Sequence, residues 1–276
     1  MNRDRPGYDA RRRNRNIGTE NAGFKEDNRF KIPERWTDAR MYYEVLSNPR
    51  TVVRTLHGRE ITYLVEPTHG GCVHGCTVDD IFTLLRLLPG PFTRDIEVYV
   101  LRQPTEKQRT ANPVWGRLSY WSSLGRFSGP SVTLEAQPIG EPNKWDRSLG
   151  PADQEELDRL REDGHPITET KRHFILTPTL DSIRSTLLYR TLPHELGHLA
   201  HYEEEVESRI DEQNSRDDLE ERYFQKPSAE RESYAHRVAD TVRRKLRELG
   251  SIPFDRIGDS SSIRKDGLEP SWFGID

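Results

Sequence analysis

Two imidazoles and a carboxylate stand at fixed spacing in His194-Glu195-Leu196-Gly197-His198. On a helix, residues four apart project from one face, a turn apart. His194 and His198 can therefore reach one tetrahedral cation while Glu195 points at the coordination position left for water. A water at that position becomes a nucleophile when a carboxylate takes its proton, which makes Glu195 the candidate general base. With 9 histidines and 46 acidic residues among 276, this spacing arises somewhere by chance about one time in twenty. Apolar Leu196 and Leu199 at helical spacing, with small Gly197 between, lower that figure.

A catalytic cation site needs a third protein ligand and an open fourth position. Glu232, 34 residues after His198 (232 − 198), is the candidate. It lies one turn before Ala235 on the apolar stripe Ala235, Val238, Ala239, Val242, Leu246 and Leu249, which places its carboxylate against the core. Glu230 sits off that stripe and is the fallback. His201 shares the face of His198, but three ligands from one straight helix fit a small tetrahedron poorly. Tyr234 and His236, close to Glu232 in sequence, are candidate catalytic donors to an oxyanion.

The elements that must position these groups are readable in outline. Residues 51–65 read as two short strands around His57-Gly58. Thr77 caps a helix through Ile81, Leu84, Leu85 and Leu88, ended by Pro89-Gly90. The β-rich runs 95–103, 115–121, 131–136 and 173–178 suggest a mixed sheet. Residues 138–170 read as a surface insertion with a short helix at 152–161. From Asp181 a helical pattern carries the histidines, and Pro193 within it predicts a kink or a fresh helix start just before His194. Residues 203–222 are dominated by charge and read as a solvated extension or connector. Residues 228–249 form one amphipathic helix stopped by Gly250.

A second group of soft ligands, His69, Cys72, His74 and Cys76, is crowded into eight residues. Without a second half elsewhere in the chain, it reads as a Gly-rich loop into the Thr77 helix rather than a structural metal site. A Cys-plus-two-His site of the peptide deformylase kind would place its cysteine much closer to His194.

The bulk properties bound the partners. The net charge of −4, from 42 basic and 46 acidic residues, carries no overall signature of a nucleic-acid or membrane binder. Locally, Arg3, Arg5, Arg11, Arg12, Arg13 and Arg15 make a basic arm, read as disordered over residues 1–35 and the one candidate for a nucleic-acid or partner contact. No apolar run is long enough for a membrane span, and the first residues lack a secretory signal. Two cysteines cannot build a disulfide framework, so a reducing, cytoplasmic setting is expected. The resulting organisation is an arm at 1–35, one domain at 36–250 and a tail at 251–276.

The order of elements from about 77 to 249, with the His-Glu-x-x-His helix followed by a helix bearing glutamate, resembles the zincin superfamily of metallopeptidases. Glu232-Ser-Tyr-Ala235-His-Arg-Val-Ala239 is similar to the E-x-x-A-x-x-x-A segment of gluzincin-like peptidases, including the ImmA/IrrE-type group. Metzincins would place Gly at position 201 and His at 204, where this chain has His201 and Glu204. The resemblance implies an α+β fold with a backing helix and a Zn²⁺ ion on His194, His198 and Glu232. It implies hydrolysis of peptide bonds in a protein or peptide substrate, with 131–136 as the sheet edge on which that substrate pairs. A non-peptide amidohydrolase and a regulatory binding protein that keeps the fold are the other classes the motif admits.

Overall fold

The computed structural model describes residues 41–111 and 113–275. The basic arm at 1–35 and the expected start of the domain near Trp36 lie outside these residues. The chain is α+β.

The first hairpin joins β1 (Arg50–Leu56) to β2 (Arg59–Val65), with Arg50 opposite Val65 and Leu56 opposite Arg59. His57 and Gly58 both have positive φ, 50° and 80°, the conformation that a two-residue hairpin turn requires. After β3 (Cys72–Val73) comes α1 (Val78–Leu87). Thr77 Oγ1 accepts from the Asp80 N–H at 3.0 Å, and Asp80 Oδ2 accepts from the Thr77 N–H at 3.1 Å. This is a reciprocal capping box. Next are β4 (Val98–Arg102), α2 (Glu106–Ala111), β5 (Gly116–Leu124) and β6 (Phe127–Glu135).

These strands make a mixed five-stranded sheet in the order β1-β2-β4-β6-β5, with β4 parallel to both β2 and β6. β1 and β5 are therefore the edges, and the run at 131–136, expected at an edge, belongs to an interior strand. The burial pattern gives the reason. Ser131 to Glu135 is buried without interruption, as a strand flanked on both sides must be, whereas β5 alternates buried Ser119, Ser122 and Leu124 with exposed Trp121 and Ser123.

β7 (Gln137–Pro138) pairs with β3. β8 (Asn143–Asp146), α3 (Pro151–Glu162), β9 (Ile167–Glu169) and β10 (His173–Leu176) follow. The run at 173–178, expected in the main sheet, is instead the centre of a separate antiparallel sheet β8-β10-β9. The insertion thus supplies strand partners as well as a helix, and α3 buries Leu157 and Leu160.

α4 (Leu180–Thr186) runs through a π-helical turn at Leu187–Thr191 into α5 (Leu192–Glu205). Pro193 has no N–H to donate backward, and the chain absorbs that by widening the preceding turn: the Leu192 N–H bonds to Leu187 O. The expected kink or fresh start is a π turn within a continuous helical path. α6 (Arg216–Gln225) comes next, in the stretch expected to be a solvated connector. It packs Leu219 and Tyr223 against Tyr202 and Val206. α7 (Ser228–Glu248) is the long C-terminal helix, and Gly250 beyond it has φ 66°.

The final segment, read from sequence as a tail, is packed. It contains α8 (Ser260–Lys265) and a 3-10 turn at Pro270–Phe273. Ile252, Ile263, Leu268 and Phe273 join the main core. Thr77 Oγ1 donates to Ile257 O at 2.6 Å and Asp80 Oδ1 accepts from the Ile257 N–H at 2.9 Å, so the segment is fastened to the cap of α1. Its apolar residues are too widely spaced to show a period, which is why the pattern did not reveal it.

Residues 41–46 with 123–128 form a small unit of their own, in which Glu44 Oε1 accepts from the Ser123 N–H at 2.8 Å. Among the described residues no helix is long and apolar enough to cross a membrane.

Candidate metal centre

α5 crosses α7 at the glycine of the motif. A Cβ on Gly197 would stand 3.0 Å from both Cα and O of Ala235 and 3.1 Å from Val238 Cβ. With hydrogen there instead, the two backbones touch. Ala235 and Ala239 are the small residues that α7 presents, and both are buried. The crossing brings Glu232, one turn earlier on α7, opposite His194 and His198.

His194 Nε2 and His198 Nε2 are 3.1 Å apart, His194 Nε2 is 3.2 Å from Glu232 Oε2, and His198 Nε2 is 3.5 Å from Glu232 Oε1. Ligands 2.0–2.1 Å from a tetrahedral cation are separated by about 3.3–3.4 Å. The two imidazole nitrogens lie at close to that separation from each other and each from one oxygen of the Glu232 carboxylate, so the three side chains fit one small divalent cation. Hydrogen bonds from His194 and His198 hold the Glu232 carboxyl well below the usual carboxylate range. Glu232 is 53 % exposed; it stands at the cavity mouth, not against the core as its place on the stripe implied. A helical stripe fixes direction only to within a turn, and the helix contact that begins at Ala235 leaves the residue above it in solvent.

Glu195 is buried, and its Oε2 accepts from the Leu118 N–H on β5 at 2.7 Å. Burial raises its pKa, while His194, His198 and the Leu118 N–H pull the other way. β5 can come this close because residue 116 is glycine: a Cβ there would meet Thr191 Cγ2 at 2.7 Å and Thr133 O at 2.8 Å.

His236 stands beside the pair, its ring centroid 4.4 Å from that of His194. His194, Glu232 and His236 also offer ligand atoms within 4.8 Å of one another, a looser set than the one containing His198. Burial pushes the pKa of His236 down to about 4, leaving a neutral ring at neutral pH. Tyr234 goes elsewhere. Its hydroxyl donates to Glu204 Oε2 at 2.6 Å and its ring stacks on His201 at 4.1 Å, so it is not an oxyanion donor in this arrangement. His201 is likewise turned away from the cation position. Glu230 pairs with Lys226 at 3.2 Å and is not at the centre.

The groups line a cavity of about 460 Å³ together with Trp115, Leu118, Glu156, Arg190 and Arg231. Arg190 and the Leu118 N–H are cavity groups that the motif alone does not single out. Arg190 precedes His194 by four, as His194 precedes His198, so the periodicity held the signal; a backbone donor leaves none.

Among the described residues the side chains of His69, Cys72, His74 and Cys76 form no ligand cluster. Cys72 and Cys76 are buried and free, and His74 Nε2 bonds to Glu66 O at 2.8 Å.

Comparison with known proteins gives no matching family model, no matching curated protein and no matching solved structure.

Proposed function

We propose that the chain is a zinc-dependent metallopeptidase of the zincin type, acting on a protein or peptide, with His194, His198 and Glu232 as ligands and Glu195 as general base. The observation that supports this reading is the 3.1, 3.2 and 3.5 Å spacing of the two imidazole Nε2 atoms and the two Glu232 oxygens beside the buried Glu195 carboxylate. A zinc ion held by His194, His198 and Glu232 would supply Lewis acidity for the scissile carbonyl and for water. The protein does the rest. Glu195 takes the proton of the attacking water and returns it to the leaving amine. His236, neutral and beside His194, is placed to donate to the developing oxyanion.

β5 gives the substrate its track. It is an edge strand of the sheet, it lines the cavity through Gly116 and Leu118, and its Leu118 N–H contacts Glu195. An extended peptide pairs with such an edge as an added strand, which sets the scissile bond against the centre.

The test is elemental analysis of wild type, His194→Ala, Glu232→Ala and Glu195→Gln, followed by mass spectrometry of a denatured-protein peptide mixture. One equivalent of zinc in wild type and Glu195→Gln, its loss in the other two, and cleavage by wild type alone are expected. A wild-type protein that takes up no zinc on reconstitution ends the proposal.

A further inference from the structure

Away from the metal centre, α7 and the end of α1 line a second cavity, a groove of about 480 Å³. Leu88, Val242 and Leu246 are its buried floor and belong to the main core. Its rims are apolar too, and they are open: Leu249 is 75 % exposed and Leu87 37 %. Pro89 and Phe92, at the 3-10 turn Gly90–Phe92, continue the wall. On α7 the lining runs from Tyr234 through Val238, Thr241 and Lys245 to Leu249, the three-and-four spacing of one helix face over about 22 Å. A lone exposed leucine means little, but an apolar trough whose rims stand in solvent is a binding surface.

The walls select the shape of the occupant. They are two helices and a 3-10 turn, which offer no unpaired strand edge, so an extended chain laid there would bury N–H and C=O groups without partners. A helix satisfies its own backbone, and one lying along α7 sets a side chain into the groove at each turn. A small amphiphile on the floor would leave Leu87 and Leu249 in water, whereas the side chains of a helix, about 10 Å across, can cover them.

Charge selects the composition. Arg237 and Lys245 are the charged residues of the lining; both are exposed, and neither has an ion-pair partner among the described residues. Arg237 Nη1 donates to Ser233 Oγ at 3.1 Å, and Glu248, the carboxylate beside Leu249, is taken up by Arg244 at 3.3 Å. Among the described residues no carboxylate lines the groove. The apolar stripe of the occupant is therefore flanked by acidic residues. A second copy laid along the same face would bring basic rim against basic rim, and residues 1–15, with six arginines against two aspartates, carry the wrong sign.

We propose that this groove is the docking site for an amphipathic helix of another protein, with carboxylates flanking its apolar stripe. The proposal goes beyond the peptidase reading and does not rest on it.

The test uses the full chain carrying Glu195→Gln, which removes the proposed base, and two acetylated peptides of about fifteen residues. Both have leucine at helical spacing; one is flanked by glutamate, the other by lysine. Calorimetric titration is expected to show the glutamate peptide binding about tenfold tighter than the lysine peptide. Adding Arg237→Glu with Lys245→Glu reverses that preference, and adding Leu249→Ser weakens the glutamate peptide by at least about fivefold. All three positions are exposed, so melting temperature and zinc content stay unchanged. Equal affinity of the two peptides, no binding of the glutamate peptide, or a preference that survives the charge reversal overturns the proposal. So does a wild-type dimer in sedimentation velocity that Leu249→Ser dissolves, which gives the groove to a second copy, or binding of dodecanoate without binding of the glutamate peptide, which gives it to a small amphiphile. Zinc uptake and peptide cleavage by the wild type are measured apart from these results and decide the peptidase reading alone.

Discussion

Gly197 and Ala235 meet backbone to backbone, so close that a methyl group between α5 and α7 would have to push them apart by a few tenths of an ångström. That contact sets the height at which Glu232 faces the two imidazoles, so the glycine inside the histidine motif and the alanine after the glutamate serve one purpose. Both chains of the crossing are rigid helices, and the distances at the centre follow from it.

Replacing Gly197 by alanine tests this directly. Alanine gains about 1 kcal/mol of helix propensity, but its methyl would press on backbone atoms that cannot rotate away, an overpacking that costs about 1–3 kcal/mol. The overpacking wins, and the helices separate. Gly197→Ala is expected to lower the melting temperature and to cut zinc affinity by more than about tenfold. Retention of one equivalent of zinc with an unchanged melting curve would show that the crossing does not set the site.

How much of this was legible beforehand depended on the range of the interaction. The helix capped by Thr77, the His57-Gly58 hairpin and the amphipathic α7 are local, and their residues announce them. The proposed ligand pair His194 and His198 is local too. The edge strand was misplaced because 131–136 has the stronger β composition, and composition does not say which of two neighbouring strands is outermost. Packing of the final segment was hidden because Ile252, Ile263, Leu268 and Phe273 are each isolated in polar sequence. Tyr234 was drawn in by its nearness to Glu232, whereas helix phase turns it to Glu204 and His201.

Asp80 holds the first helix, the histidine-bearing chain and the final segment at one point. Its carboxylate accepts from Arg184 Nη2 at 2.9 Å, Arg184 Nε at 3.1 Å, the Ile257 N–H at 2.9 Å and the Thr77 N–H at 3.1 Å. Removing one partner of a buried pair leaves the other charge uncompensated, at about 3–5 kcal/mol. Asp80→Ala is therefore expected to lower the melting temperature by roughly 10 °C, and urea unfolding measures the same loss. A change within about 0.5 kcal/mol would mean that Arg184 finds water or another acceptor.

Acid should weaken the fold through two buried histidines. Burial pushes His74 and His165 down to about 4, against about 6.5 in an unfolded chain. His165 is held between Thr186 Oγ1 at 2.9 Å and Ser182 Oγ at 3.0 Å, and His74 bonds to Glu66 O. Because the folded pKa is the lower one, the unfolded chain binds more protons between the two values. Stability present above about pH 6.5 is lost as pH falls toward about 4, on the order of 3 kcal/mol for His74. Glu66, its carboxyl raised by burial, works in the opposite sense. Urea midpoints measured from pH 7.5 to 4.5 should fall, and fall less in His74→Gln; parallel profiles would exclude His74 as a source.

His236 and Tyr234 separate catalysis from scaffolding. Tyr234 is bonded to Glu204 and stacked on His201, away from the cavity, so Tyr234→Phe is expected to leave zinc content unchanged and peptide cleavage within about twofold. His236 lines the cavity beside His194. As an oxyanion donor it would supply about a hundredfold or more in kcat, so His236→Gln should keep its zinc and lose that factor. The tighter spacing of His198 to both His194 and Glu232 makes His198→Gln the variant that loses the metal. Elemental analysis of the two variants decides between them: zinc kept in His198→Gln and lost in His236→Gln would transfer the third ligand to His236 and leave the oxyanion without a side-chain donor from α7.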